Sequence, residues 1–354
     1  MAMLLPEWHP AKSLWLRWPY RQDIWPHEGV SAQAEVLKLC ELLAAHNVAV
    51  QLMVTPEVAP SVREKIENQS MAVQVHSVTY GDVWLRDCAP LLTDDGILHH
   101  FDFDGWGGID DRFAADLSAR NWLSEHLLSE ASSLRGIREH EMVLEGGAIQ
   151  TDGQGTAILC SGSILHRTKN QEYSVRDFEA RLCNILGLQK ILWLPGSMSA
   201  DETGGHVDNM ACYLAPGVVA INKPIHAAHA DTPACDRVRK YLQWNTDAAG
   251  NTLTLVELPL PEAPRLAQEE AGSIQYHEGV RRRLPGMPLM ASYLNFIRIG
   301  NIVVLPAFHC ESDAQALQLM KAALPECTVL QSPCRAMLAG GGAWHCASWV
   351  EAQP

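Results

Sequence analysis

The sequence predicts an α/β fold in which about five strand, strand, helix, strand units form one closed ring. Two observations support this prediction. At five places an amphipathic helical segment runs into an apolar, β-branched segment of strand length, and glycine-containing turns join apolar segments between most of these places. No linker or low-complexity segment interrupts the series. A fixed unit repeated without a linker favours a closed repeat architecture over two independent domains.

The first unit shows the pattern. A cap-type serine, Ser31, opens a helix over 31–46 that places Val36, Cys40 and Leu43 on one face, together with Leu37 and Ala44. This helix leads into a buried strand over 48–54. The other helix and strand pairs are predicted at 111–128 and 142–144, 173–186 and 190–194, 233–244 and 253–258, and 312–324 and 327–330. Hairpins are predicted for 146–150 with 156–159 and for 293–299 with 302–305.

Composition and charge restrict the class of protein. The 354 residues are 47% hydrophobic and 19% charged, which is enough for a core without disulfide bonds or a structural metal. The net charge of -14 has the wrong sign for binding a phosphate backbone, so we expect no nucleic acid partner. No apolar segment approaches the roughly 20 residues of a membrane span, and the N-terminus lacks the basic region of a signal peptide. The ten cysteines contain no CxxC motif, which predicts reduced thiols and a cytoplasmic protein.

Glycines and functional side chains concentrate in five segments, each beside a predicted strand. The segments are 82–90, 144–147, 201–209, 291–295 and 340–346. Taken singly, each has an ordinary structural explanation: Arg86 and Asp87 could form a surface ion pair, and Cys346 could be a small buried hydrophobic residue. In a ring of repeats, however, equivalent strand ends point at one axis. We therefore expect the five segments to meet in one pocket.

The residue types in these segments favour substitution at a guanidinium carbon. Without a CxxC or HExxH motif, a zinc site is not indicated. A nucleophilic Cys346 needs a basic neighbour, and His206 can fill that role and then transfer protons. Further carboxylates would repel the negative charge that develops on an amide substrate. They suit a guanidinium cation, whose paired N–H groups a carboxylate binds through two parallel hydrogen bonds.

At these segments the sequence resembles the agmatine deiminase and bacterial peptidylarginine deiminase group of the guanidino-modifying superfamily. The matching segments, in the family's order, are 7–8, 15–19, 82–90, 144–147, 191–195, 201–209, 291–296 and 340–346. Each segment alone is weakly diagnostic, but the combination is specific and spans almost the whole chain. The resemblance implies a five-bladed, pseudo-symmetric α/β propeller built of ββαβ units, the pentein fold, with residues 1–354 as a single catalytic domain.

The resemblance also implies a role for each matching catalytic position. Cys346 matches the nucleophile that ends the glycine-rich motif, and His206 matches the general acid/base. Glu145 matches the carboxylate partner of the histidine. Asp87 and Asp208 match the residues that clamp the guanidinium group.

Other matching positions face the substrate. Trp84 matches a ring that lines the substrate channel, while Asn295 and Glu202 match substrate-facing or supporting positions. Gly341 and Gly342 let the backbone approach the substrate closely. The implied reaction is hydrolysis of agmatine to N-carbamoylputrescine and ammonia through a covalent thiouronium-like intermediate, without a metal or an organic cofactor. The implied partner is a small cationic guanidino substrate, and a homodimer is left open.

Departures from the family pattern leave the substrate open. Ala343 and Trp344 stand where agmatine deiminases usually carry Asn-Ile, and 347–351 replaces a Thr-Gln-Gln-type sequence. Trp344 is either a core ring or part of the channel. The alternative substrates are free arginine, peptidyl arginine or another alkylguanidine. Arginine substrates carry a carboxylate and need cations at the channel mouth, for which Arg112 and Arg167 are candidates.

Three other functions remain open from the sequence. An amidinotransferase would use the same catalytic residues and exclude water in favour of an amine. A metallohydrolase centre could combine His206 and Asp208 with His226 and His229, and metal content would identify it. A non-catalytic binding protein on the same fold would bind the substrate without releasing ammonia.

Overall fold

The computed structural model describes residues 2–69 and 71–354, and its strands form five small sheets. The strands are β1 (Ala11–Arg17), β2 (Val50–Val54), β3 (Val73–Ser77), β4 (Leu91–Leu92), β5 (Ile97–Asp102), β6 (Gly136–Val143), β7 (Ile149–Thr151), β8 (Thr156–Cys160), β9 (Lys190–Leu194), β10 (Ala211–Ala215), β11 (Val218–Pro224), β12 (Thr254–Leu260), β13 (Ile297–Ile299), β14 (Ile302–Ala307), β15 (Thr328–Pro333) and β16 (Ser348–Ala352).

One pairing pattern recurs in all five sheets. In the sheet β4-β5-β6 the first pair is antiparallel and the second is parallel, and the same holds for β7-β8-β9, β10-β11-β12 and β13-β14-β15. In the remaining sheet, β16-β1-β2-β3, the C-terminal strand pairs antiparallel with β1, and β1 pairs parallel with β2. The two ends of the chain thus complete one blade. The predicted α/β propeller of five ββαβ units is confirmed.

A helix connects the parallel strands of each blade, because parallel neighbours require a crossover connection. The α-helices are α1 (Val30–Ala45), α2 (Ala59–Asn68), α3 (Leu85–Cys88), α4 (Gly105–Gly108), α5 (Phe113–Glu130), α6 (Ser161–Ile164), α7 (Val175–Leu186), α8 (Thr232–Trp244), α9 (Gln268–Ser273), α10 (Ser312–Ala323), α11 (Arg335–Leu338) and α12 (Trp344–Ala347). Short 3-10 helices occupy Pro26–Gly29, Gly146–Ala148, Thr168–Glu172 and Val207–Asn209. One crossover in each blade is made by α1, α5, α7, α8 or α10, and α2 makes the additional crossover between the parallel strands β2 and β3.

Local sequence signals explain where the crossover helices begin and end. Helix α7 begins after Ser174, whose side chain accepts a hydrogen bond from the backbone N–H of Asp177, and it ends at Gly187 in the left-handed conformation. On α1, Val36, Cys40 and Leu43 of the predicted face are buried, whereas Leu37 and Ala44 are half-buried. The three buried side chains pack in the main hydrophobic cluster between the helix and its sheet. The helix begins at Val30, so Ser31 lies within its first turn and is not its cap.

The first strand of two predicted hairpins begins later than the sequence suggested. Strand β7 begins at Ile149 and β13 at Ile297, because the preceding residues form tight turns instead. In the turn before β7, a side chain on Gly146 would collide with the carbonyl oxygen of Arg86 in a neighbouring turn. The glycine therefore allows two turns from different blades to pack backbone against backbone.

A tight turn precedes the first strand of each blade, and these turns pack together. Helix α3 precedes β4 and contacts both α12, which precedes β16, and the Gly146–Ala148 turn before β7. That turn contacts the Val207–Asn209 turn before β10. The five polar segments thus come together at the centre of the propeller, as the ring prediction required.

Two further observations concern the chain as a whole. Among the described residues, no helix has the length and apolar character that crossing a membrane would require. All ten cysteines are free thiols.

Candidate active site

A pocket of about 570 Å³ opens where the turns meet. Its lining includes Trp84, Asp87, His206 and Cys346 together with Gly341, Gly342 and Glu202. Asp208, Glu145 and Asn295 lie behind this lining. Residues from five separate turns therefore build one polar pocket.

Cys346 is held by Asn295 from two sides. The Nδ2 group of Asn295 donates to Sγ of Cys346 at 3.0 Å, and the backbone N–H of Cys346 donates to Oδ1 of Asn295 at 3.2 Å. The thiol also lies 3.4 Å from Oδ2 of Asp208. Burial raises the pKa of the Cys346 thiol well above its ordinary value, and the charges of Asp208 and Asp87 raise it further. These surroundings therefore favour the neutral form of the Cys346 thiol.

Asp87 is a buried carboxylate with hydrogen bonds to both of its oxygens. Oδ1 accepts from the backbone N–H of Gly147 at 3.0 Å, and Oδ2 accepts from Nε1 of Trp106 at 2.9 Å. Burial raises the pKa of Asp87 to about 6 and the charge of Asp208 contributes, while His206 opposes the shift. A cationic partner would therefore stabilise the ionised form of Asp87.

His206 is completely buried beside these carboxylates. Its Nδ1 lies 3.7 Å from Oδ1 of Asp87, and neither ring nitrogen has a hydrogen-bond partner among the described residues. Burial by itself lowers the pKa of His206, but Asp87, Glu145 and Asp208 together hold it above its ordinary value. An imidazole with free nitrogens in this position can exchange protons with a bound molecule.

Gly147 has no side chain, and Asp87, His206 and Asp208 converge on the space that this leaves. A Cβ atom at this position would lie 2.7 Å from Oδ1 of Asp87, 2.7 Å from Nδ1 of His206 and 2.9 Å from Oδ2 of Asp208. Any side chain at this position would displace these groups. Gly147 lies in the segment 144–147, whose sequence alone did not indicate this role.

Glu145 is fully buried and is paired with Arg167. Oε1 of Glu145 lies 2.7 Å from the guanidinium of Arg167, which also donates to the carbonyl oxygen of Thr203 at 3.1 Å. Oε2 of Glu145 has no partner among the described residues. The carboxylate within ion-pair distance of His206 is that of Asp87, so Glu145 acts on the imidazole through its charge rather than through a direct contact.

The two arginines suggested for the channel mouth do not line the pocket. Arg167 is buried against Glu145, and Arg112 pairs with Asp23 at 3.4 Å. Neither cation is free to bind a substrate carboxylate, because Glu145 and Asp23 already pair with them. The arginines that do line the pocket are Arg281 and Arg283, which lie in a loop without a periodic pattern or a motif that would have identified them.

Asp208 belongs to a chain of buried charges that the sequence did not reveal. Nδ1 of His345 lies 2.9 Å from Oδ2 of Asp208, and Nε2 of His345 lies 3.1 Å from Oε1 of Glu7. Arg86 also pairs with Glu7, at 3.0 Å. Burial alone would raise the pKa of Glu7, but Arg86 and His345 lower it to about 2. Burial disfavours the charged form of His345, yet Glu7 and Asp208 hold its pKa above the ordinary value.

The remaining predicted residues surround the pocket entrance. Glu202 is bound by two parallel hydrogen bonds from Arg283, of 2.8 and 2.9 Å. Gly341 has a φ of +122° and lies beside this pair, in a conformation that favours glycine.

Trp84 lines the pocket, whereas Trp344 is buried in the core and donates from Nε1 to the carbonyl oxygen of Ser332. Of its two suggested places, Trp344 therefore occupies the core.

The geometry does not support a metal centre built on the four residues considered. His226 pairs with Glu262 at 2.6 Å, and both ring nitrogens of His229 are hydrogen-bonded to the backbone of Pro261 and Asp231. In residues 2–69 and 71–354, no three His, Cys, Asp or Glu side chains are grouped as a metal site requires.

Comparisons with known proteins match nearly the whole of this chain. The sequence profile of the Porphyromonas-type peptidyl-arginine deiminase family matches residues 3–351. The agmatine deiminases of Ectopseudomonas mendocina and Pseudomonas syringae pv. tomato are each 30% identical to this chain over 352 residues, covering 98% of this chain and 95% of the relative. The crystal structure of the agmatine deiminase of Enterococcus faecalis superimposes with a TM-score of 0.90 at 26% identity and covers 99% of this chain and 96% of that chain.

These similarities extend over nearly the full length of each protein, so they include every turn that contributes to the pocket. The family resemblance predicted from the motifs is confirmed. This chain belongs to the Porphyromonas-type peptidyl-arginine deiminase family.

Proposed function

We propose that this protein hydrolyses the guanidinium group of a small guanidino substrate through a covalent bond to Cys346, converting agmatine to N-carbamoylputrescine and ammonia. The observation that carries this proposal is the convergence of Asp87, His206 and Asp208 on one point beside the Cys346 thiol. The agmatine deiminases among the relatives support the choice of substrate.

The two aspartates bind the guanidinium group in this proposal. Oδ1 of Asp208 is buried without a partner among the described residues, and Asp87 retains a raised pKa that a cation would relieve. A planar guanidinium can donate pairs of N–H groups to both carboxylates at once. This holds the central carbon near the thiol, and such positioning contributes several kcal/mol to catalysis, as an order of magnitude.

Substrate binding also activates the nucleophile. The charges of Asp208 and Asp87 contribute to keeping the Cys346 thiol protonated, and the positive charge of the guanidinium offsets them. The thiol then loses its proton more readily. The thiolate is the reactive form of cysteine.

The reaction has two covalent steps. The sulfur of Cys346 bonds to the guanidinium carbon, the carbon–nitrogen bond to the leaving group breaks, and His206 gives a proton to the departing ammonia. His206 then takes a proton from water as the water oxygen attacks the thiouronium carbon. The carbon–sulfur bond then breaks as the new hydroxyl group gives its proton to the departing sulfur, which restores the Cys346 thiol and leaves a carbonyl oxygen on the product.

The wider setting of the protein also forms part of the proposal. We propose a single catalytic domain, since β1 and β16 from opposite ends of the chain share one blade. The ten free cysteines support a cytoplasmic location. A metal-independent reaction and a homodimer remain predictions, which metal analysis of the active protein and light scattering would test.

The test of the proposal is ammonia release from agmatine by the purified protein. Cys346→Ala should abolish turnover while retaining agmatine binding by calorimetry, because both aspartates remain in place. Cys183→Ala, in α7 away from the pocket, is the matched control and should keep full activity. Near-normal turnover by Cys346→Ala would refute the covalent mechanism. A new guanidine formed on an added amine acceptor, with no ammonia release or urea-type product in water alone, would instead indicate an amidinotransferase.

A further inference from the structure

A loop at the pocket entrance brings a run of arginines to the mouth of the site. Arg281 and Arg283 line both the catalytic pocket and an adjoining outer cavity, and Arg282 lines the outer cavity. The loop is anchored to the opposite wall of the pocket: the backbone N–H of Arg281 donates to the carbonyl oxygen of Ile109 at 3.1 Å. The backbone of Arg281 is thus held at the junction of the two cavities, which its side chain lines.

Three acidic groups near this mouth are already paired. Glu202 is bound by Arg283, and Asp110 is paired with Arg21. Asp23, in the wall of the outer cavity, is paired with Arg21 and with Arg112. These carboxylates therefore offer little net negative charge to a bound molecule.

Arg281 differs from these paired cations. Its side chain is exposed, and within the described residues no carboxylate forms an ion pair with it. Its neighbour Arg282 lies over the ring of Tyr276 at 5.5 Å and faces away from the catalytic pocket. An unpaired guanidinium binds a carboxylate through two parallel hydrogen bonds.

The mouth is close to the reacting centre. A Cβ on Gly341 would lie 3.0 Å from Arg283 and 3.4 Å from Glu202, and a Cβ on Gly342 would lie 3.2 Å from Sγ of Cys346. The Arg283–Glu202 pair and Cys346 thus lie against two successive residues, Gly341 and Gly342, whose Cα atoms are about 3.8 Å apart. A short alkyl chain is enough to connect the two.

We propose that Arg281, supported by the Arg283–Glu202 pair, forms a carboxylate subsite at the pocket mouth, so that the enzyme accepts linear guanidino acids in addition to agmatine. This inference rests on the proposed function, because it concerns the distal end of a substrate whose guanidinium lies between Asp87 and Asp208. The carboxylate of such an acid would face Arg281, whereas a distal ammonium would be repelled by it.

The ammonium of agmatine has a different acceptor in the same pocket. Asp82 lines the pocket, and its buried Oδ2 has no partner among the described residues. Burial raises the pKa of Asp82 to about 7, which an approaching cation would reverse. Two kinds of distal group would thus be recognised by two different side chains.

Three substrates of matched length test the subsite. Agmatine, pentylguanidine and 5-guanidinopentanoate each carry four methylene groups between the guanidinium and a distal ammonium, methyl or carboxylate. We expect kcat/KM for 5-guanidinopentanoate to exceed that for pentylguanidine about tenfold or more, as one charge-assisted hydrogen-bonding pair provides. Arg281→Gln should reduce this ratio to near one, while Arg282→Gln should leave it unchanged.

The outcomes separate the inference from the proposed function. Turnover of 5-guanidinopentanoate no faster than that of pentylguanidine, or a ratio insensitive to Arg281→Gln, would overturn the carboxylate subsite. Agmatine turnover in that experiment would leave the proposed function intact. A protein that releases ammonia from none of the three substrates would contradict both.

Discussion

His345 binds the catalytic-site carboxylate Asp208 through a 2.9 Å contact between Nδ1 and Oδ2. The same carboxylate oxygen lies 3.4 Å from the Cys346 thiol. His345 therefore fixes one oxygen of Asp208 and leaves Oδ1 free for a ligand. Glu7 lies on the far side of the imidazole, at 3.1 Å from Nε2, and stabilises its protonated form.

Replacing His345 should impair the binding of the guanidinium group. His345→Gln removes the ring that binds Oδ2 of Asp208, so this carboxylate should be less well positioned. We expect kcat/KM for agmatine to fall about 100-fold, as small misplacements of positioned groups commonly cause. The loss should include a raised KM, because a misplaced Asp208 binds the guanidinium group less well. A purely structural role for His345 would lower stability without raising KM, and circular dichroism with thermal melting distinguishes the two.

Gly147→Ala should inactivate the enzyme through a single methyl group. The new Cβ would lie within 3 Å of Asp87, His206 and Asp208 and would occupy the space for the substrate carbon. We expect activity to fall at least about 100-fold. Gly272→Ala is the matched control, because a Cβ there meets no atom within 4 Å. Equal activity of the two variants would show that the substrate does not occupy this space.

Activity should decline in mild acid because of Asp87. Burial raises the pKa of Asp87 to about 6 from an ordinary value of 3.8, so Asp87 loses its charge as the pH falls through about 6. Since the ionised form binds the guanidinium, KM for agmatine should rise below that pH. The pKa of Asp87 is higher in the folded protein than its ordinary value. Its ionisation therefore lowers the stability of the fold as the pH rises from 3.8 to about 6. Initial rates between pH 5 and pH 8 measure the effect, and a limb near pH 4 would contradict it.

Arg167 should be required for stability rather than for substrate recognition. Arg167→Leu would leave the fully buried Glu145 without its cation, which typically costs about 3–5 kcal/mol in the free energy of unfolding. Arg112→Leu removes a partly exposed arginine from Asp23, which keeps Arg21 as a partner, so a loss of about 1 kcal/mol or less is expected. Urea unfolding of both variants measures the difference. Similar losses would refute the importance of the buried pair.

The sequence predicted the repeat and the positions of its helices because both depend on local signals. Hydrophobic periodicity and glycine turns mark each unit, and they remain visible without knowledge of the other units. The errors lie at strand starts such as Ile149 and Ile297, where contacts with another blade decide that the preceding residues turn. The two arginines proposed for the mouth were misplaced for a related reason: the ion pair that holds Arg167 joins residues of different segments.

The sequence by itself determined the five-unit fold and the chemical groups at the centre of the propeller, including Cys346, His206, Asp87 and Asp208. Only the tertiary structure decided which partners those groups have. Glu7 and His345 are 338 positions apart, and Glu202 and Arg283 are 81 apart, yet each pair is in direct contact. Such pairings depend on how the blades close around the axis. No local pattern encodes them, because an ion pair requires only proximity and opposite charge, and proximity across blades exists only once the ring has formed.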